Sequence, residues 1–247
     1  HAPFIAGASP NVMQMDSWQE LANPRDLTKI FSTPEYAAWR SLRESDDARY
    51  IGLAMPRFLA RYPDISMDIT ISDQPPAAME EGIDLAIRIG PLDESSMVAR
   101  RICNLQRVIC AAPSYLNRCG TPQTPDDLQR HNCLWITSLP ALRRWPFDTE
   151  EGIRVVNVGG NVAANTAETV LQLAIAGVGI TRLTDVIVGD AIGRGELVPV
   201  LTDWHHAEPV PLFATYPSGR HLSPKVKAMV DFLVEEFGDT PWRRQRK

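Results

Sequence analysis

The chain has 247 residues, 44% of them hydrophobic and 22% charged, with a formal net charge of -5. That is apolar enough for a sizeable core, as one large domain or two small lobes, and too apolar for disorder. The negative charge excludes retention of a polyanion by counterion release, so this segment alone is not expected to hold nucleic acid.

Pro3, Pro10, Pro24 and Pro34 break up the first fifty residues, where only Glu35 to Leu42 reads as locally helical. From Tyr50 the pattern sharpens. Ile51, Met55, Phe58, Leu59 and Tyr62 recur at helical spacing, and Pro63-Asp64 stops the helix. Met67, Ile69 and Ile71 alternate with polar residues as in a half-wet strand, Ala77 to Glu81 reads as a short helix closed by Gly82, and Leu85, Ile87 and Ile89 form a second strand ending at Gly90-Pro91. Helices alternating with strands through short connections predict a mainly parallel sheet flanked by helices.

Val108 to Ala112 is a candidate buried strand, followed by a helical turn at Pro113 to Leu116 and a strand at Leu134 to Ile136. Pro140, Pro146 and Gly152 mark irregular chain before a strand at Ile153 to Val158. Asn165 can cap the next helix, with Glu168 placed as in a capping box, Val170, Leu173 and Ala174 on the inner face and Gly177 at the end. A weaker helix follows at Ile187 to Ile192, then strands at Leu197 to Leu201 and Pro211 to Tyr216. Ser223 and Pro224 open the last helix, whose stripe of Val226, Met229, Val230, Leu233, Val234 and Phe237 is wide enough to serve a core and a second subunit together. The terminal Arg243, Arg244, Arg246 and Lys247 read as a frayed basic tail.

Catalytic motifs are missing. Gly177-Val178-Gly179 lacks the third glycine of a dinucleotide fingerprint and follows a helix, no serine has the flanking glycines of a nucleophile elbow, and there is no P-loop. No catalytic residue and no cofactor is expected. Asp203, His205 and His206 are better read as a surface loop than as metal ligands, and Glu80, Glu81 and Asp84 as a solvated face. Cys103, Cys110, Cys119 and Cys133 match neither a redox pair nor a zinc knuckle, which suits reduced thiols in a cytoplasmic protein. No stretch approaches the about 18 apolar residues of a membrane helix, and His1 to Pro10 is unlike a signal peptide, which a mature exported chain would have lost. One feature points to a ligand: backbone N–H groups at the helix start near Asn165 and Thr166 suit an anion, although Asn165 and Glu168 can equally satisfy them.

Phe58-Leu59-Ala60-Arg61-Tyr62-Pro63-Asp64, Glu81 to Gly90, Cys110 to Leu116, Leu173 to Gly179, Gly195 to Val198 and His221 to Val226, in that order and spacing, resemble the regulatory domain of LysR-type transcription regulators. The resemblance implies an α/β type-2 periplasmic-binding-protein fold. It has two Rossmann-like lobes joined by two crossover strands, with a small effector in the cleft between them. Lobe one would span residues 50–133 and 209–238, lobe two 134–208, with a basic tail at 239–247. Its effector contacts map onto Ser72 and Gln74, Arg88 and Gly90, Thr137, Asn161, Asn165 and Thr166. Arg88 has two readings, a strand residue paired with an acid or a clamp for a carboxylate. Residues 1–49 depart from the family, with neither a winged helix-turn-helix nor the apolar strand that precedes its first helix.

The function so implied is a ligand-sensing domain, not an enzyme. It would bind a small carboxylate, assemble as a dimer or tetramer through lobe one, and reach DNA only through a helix-turn-helix not legible here. An exported solute-binding protein of the same fold is the alternative.

Overall fold

The structure is a computed structural model that describes residues 46–69, 83–90, 97–218 and 223–244. The chain divides into two compact units, His1–Ser72 and Asp73–Lys247. In the first, α1 (Asp46–Arg61) buries Ala54, Met55 and Phe58. Pro56 lies inside this helix and removes the bond to the carbonyl four residues back. Over residues 67–69 the alternating segment is not a strand, and Ile69 is 50% exposed. Alternation becomes a strand only where a neighbour supplies ladder bonds, and none pairs here among the described residues. The expected helices at residues 35–42 and 77–81 lie outside those residues.

The second unit is built on β1 (Ala86–Ile89), β2 (Met97–Ala111), β3 (Cys133–Ile136), β6 (Ala163–Ala164), β7 (Ile180–Thr184), β8 (Val198–Pro199) and β9 (Pro209–Pro217). Their order is β1-β9-β2-β7-β3-β6, with β8 also on β2, and β4 (Arg144–Thr149) and β5 (Gly152–Asn157) form a separate hairpin. The expectation of a mainly parallel sheet is corrected. Among the described residues only β3 pairs in parallel, with β6 and β7, while β1-β9, β2-β9, β2-β7 and β2-β8 are antiparallel.

The reason is the length of β2. It runs against β9 as far as Gln106↔Pro209 and against β7 from Arg107↔Thr184 onward, so one strand serves two groups of neighbours and changes partner between adjacent residues. The core on the β7 side collects Ile109, Ala111, Tyr115, Leu128, Cys133, Trp145, Phe147, Ile180 and Leu201. Ile109 and Ala111 of β2 thus pack with the strands and helices on the β7 side. The β4-β5 hairpin was hidden in the sequence by Pro146, which is tolerated in a two-stranded ribbon where not every N–H is needed.

Helices α2 (Pro113–Cys119), α3 (Ala167–Ile175), α4 (Asp185–Gly193) and α5 (Pro224–Phe237) flank the strands. Gly177 ends α3 with φ 75°, and a Cβ there would lie 2.6 Å from Ser114 Oγ, so only glycine fits. On α5, Val226 and Val230 are 6% and 5% exposed within the single chain, and the helix packs on β2. That row faces the core, which removes the reading of Val230 as an interface residue. The frayed-tail reading is also corrected for α6 (Pro241–Arg244), which packs against α4 with Trp242 3% exposed.

Candidate functional site

Because β7, β3 and β6 run in parallel, their carboxyl ends share one edge of the sheet, where open α/β folds place ligands. Thr184 ends β7 and Thr137 follows β3, its N–H donating to Ala164 O at 2.7 Å, while Asn165 and Thr166 follow β6. Ser138, not anticipated from sequence, donates from Oγ to Asn165 O at 3.1 Å and ties the two loops. Three predicted residues, Thr137, Asn165 and Thr166, thus come together.

The cap of α3 is Thr166 rather than Asn165: its Oγ1 accepts from Thr169 N at 3.2 Å. Glu168 does not close a capping box but accepts from Gln172 Nε2 at 2.9 Å. Asn161 belongs elsewhere. Its N–H donates to Asn132 Oδ1 at 2.9 Å, beside the start of β3, at the opposite end of that strand from Thr137. Ser72 and Gln74 lie outside the described residues. Arg88 sits half-buried on β1 opposite Phe213, with no acid in ion-pair contact among the described residues. Gly90 adopts φ 103° and donates to Pro211 O at 2.9 Å. These last two stand on a different strand group from the Thr137 cluster.

Sequence reasoning missed a second group on the same edge. Arg107 faces Thr184 across β2-β7, and Arg182 faces Ile109, so both guanidinium side chains share one face of the sheet. Arg182 is 7% exposed and donates from Nε to His205 Nε2 at 2.9 Å. This fixes His205 as a neutral acceptor, and its pKa is pushed down to about 4 by burial and by the Arg182 charge. His206 pairs with Asp148 at 2.6 Å. The pair of histidines is therefore not a solvated loop, and no group of three or more metal-binding side chains exists among the described residues. The signal available was two charges, Arg107 just before the apolar run that starts at Val108 and Arg182 between Ile180 and Leu183.

A third feature lies at the partner change of β2. Asp185, 2% exposed at the first turn of α4, accepts Gln106 N–H at 3.0 Å and pairs with Arg243 Nε at 2.6 Å, while Arg243 also donates to Asn104 O at 2.8 Å. The cysteines are free. Burial raises the Cys103 thiol to about 11 and that of Cys133 to about 12, so neither is a nucleophile near neutral pH. A shallow groove of Leu128, Gln129, Val156, Asn157, Val158 and Gly159 coincides with none of these groups.

The model of the LysR substrate binding domain matches residues 47–238. The chain belongs to the LysR substrate-binding domain family. The regulatory domain of CrgA, a LysR-type regulator from Neisseria meningitidis, superposes with a TM-score of 0.72 at 29% identity over 78% of this chain and 95% of that one. This agrees with the two-lobed, type-2 periplasmic-binding-protein class of fold, and the family is one of regulators, not enzymes. The HTH-type transcriptional regulator YhjC of Escherichia coli is 35% identical over 189 residues, 74% of this chain and 62% of the regulator. The chain thus spans about three-fifths of the length of that relative.

The first residues match something else. The N-terminal domain model of the EvpB/VC_A0108 tail sheath covers residues 1–71, and a 63-residue stretch is 81% identical to the type VI secretion system sheath protein TssC1 of Pseudomonas aeruginosa, covering 26% of this chain and 13% of that protein. This accounts for the departure of residues 1–49 from the LysR pattern. The two matched ranges overlap across α1 and Phe58 to Asp64, so that string does not by itself separate the families.

Proposed function

We propose that the chain carries the ligand-sensing part of a LysR-type transcription regulator, which takes a small organic acid between its two strand groups and acts in the cytoplasm. The observation that supports it most is the alignment of Thr184, Thr137 and Asn165-Thr166 along one carboxyl edge, beside the point where β2 changes partner. A ligand held there contacts the second lobe and lies next to the strands that join it to the first. It can therefore favour one interlobe angle by differential affinity. Through that angle it would alter the packing of subunits joined by lobe one, and so the seating of attached helix-turn-helix domains on DNA. The family match favours this over an exported solute-binding protein. No helix among the described residues is long and apolar enough to cross a membrane.

Calorimetric titration of a panel of mono- and dicarboxylates into the wild type, Thr166→Ala and Thr166→Ser tests the reading. At least one carboxylate should bind the wild type and Thr166→Ser, and bind Thr166→Ala about tenfold more weakly, as expected for a lost hydrogen bond to a charged group. Equal affinity in all three proteins for every acid that binds would sink the site, and no binding by any acid would sink the ligand class.

A further inference from the structure

We infer that Arg107 and Arg182 are the anion anchor of the second lobe, gripping the carboxylate of the effector at the β2-β7 end of the sheet edge. This rests on the reading of the domain as an organic-acid sensor and names the residues that give it charge selectivity.

The charges on this face are out of balance. Three exposed arginines, Arg130, Arg154 and Arg194, have acid partners, Asp127, Asp126 and Glu196. Arg182 is among the most buried charged side chains, yet its side-chain hydrogen bond goes to a neutral imidazole, and the half-buried Arg107 guanidinium has no hydrogen-bond or ion-pair partner among the described residues. The acids that approach do not neutralise them. Glu208 is exposed and lies beyond ion-pair distance of both, and Asp148 is engaged by His206. Beside them the Thr184 hydroxyl is buried with no partner, on a residue only 5% exposed that stands opposite Arg107.

Two cations and an unsatisfied hydroxyl on one face are costly to keep together in a packed lobe. Burial lowers both guanidinium pKa values, that of Arg182 to about 10, but leaves them charged at neutral pH, so the imbalance is not relieved by losing a proton. One oxyanion relieves it. Its oxygens can accept from both guanidinium forks, and the Thr184 hydroxyl can donate a further bond. A single carboxylate or an inorganic oxyanion has the right size and charge, whereas a neutral sugar or amide does not supply the missing charge. Lys would not substitute well, because a point cation lacks the fork.

Thermal unfolding of the full chain in sodium chloride and in sodium sulfate at matched ionic strength tests the anchor, with sulfate as probe and the carboxylate panel in parallel. The wild-type midpoint should rise with millimolar sulfate, while Arg107→Met and Arg182→Met should lose most of that rise and bind the active carboxylate at least about tenfold more weakly. In chloride, Arg182→Met should melt at or above the wild-type midpoint, since the variant no longer buries an unpaired charge. An undiminished sulfate response in Arg107→Met would overturn the anchor, as would a wild type indifferent to sulfate. If a carboxylate binds both arginine variants like wild type but fails on Thr166→Ala, the anchor falls and the sensor reading survives. If no carboxylate binds yet both variants lose the sulfate shift, the two arginines hold an inorganic oxyanion, and the carboxylate grip and the sensor reading are both overturned.

Discussion

Two buried charge groups sit within a few residues of each other along β2, and only one is neutralised. At Gln106, Asp185 is answered by Arg243 and by a backbone N–H, and Arg243 is answered again by Asn104 O. At Arg107, one step further, two guanidinium groups share a face with no acid in ion-pair contact among the described residues. A folded chain retains a buried charge at low cost when it is paired and hydrogen-bonded. The first group meets that condition and reads as structure: it fastens α6 and α4 to the crossover. The second does not, and local rules broken without internal compensation are where function concentrates.

Val230→Asp places a carboxylate on a residue 5% exposed inside α5. It should cost at least about 4 kcal/mol and abolish the folded circular dichroism signal, rather than yield a folded monomer by light scattering. Arg243→Met strips Asp185 of its cation and should lower urea-unfolding stability by about 3 kcal/mol, because it leaves a buried acid unpaired. A loss below about 0.5 kcal/mol would show that the group is no fastening at all.

The next effect is one of pH. His205 has its pKa lowered from 6.5 to about 4, by burial first and then by Arg182, His206 and Arg107, with Asp148 opposing. In the unfolded chain His205 takes up its proton near its ordinary value, whereas the folded chain resists until about pH 4. Stability is therefore full above pH 6.5 and is lost as pH falls between those values, by about 2 kcal/mol after allowance for partial exposure. Unfolding curves at pH 7 and 4.5 should show this loss in the wild type and less of it in His205→Gln, which can still accept the Arg182 bond. The smallest effect is the most diagnostic: Arg182→Met in chloride should change stability by less than about 1 kcal/mol or raise it, the opposite sign to Arg243→Met.

Much of this architecture was legible. The helices at Asp46–Arg61, Ala167–Ile175 and Pro224–Phe237 were written in apolar spacing and in the stops at Pro63, Gly177 and Gly238. What stayed hidden has physical causes. The first two-thirds of β2 reads as polar, since Arg100, Arg101 and Asn104 face outward on a strand held by β9 rather than by its own burial. Thr166 and Asn165 are both competent caps, and only backbone geometry decides between them. Asn161 matched a family contact by position, but Asn132 holds its backbone at the far end of β3. Arg107 and Arg182 were passed over because the strand was read only from Val108 onward and no strand was read at Ile180 to Thr184. Residues 1–49 announced themselves only as a misfit, which the sheath-like match explains.

The most direct test of the central claim is to map the ligand onto the backbone amides. A two-dimensional amide spectrum of the full chain, titrated with the tightest-binding carboxylate, should shift Arg107, Thr137, Thr166 and Thr184 together and with one common dissociation constant. Shifts confined to the β4-β5 hairpin, or to Asn161 and the groove beside Val156, with those four amides unmoved, would contradict it.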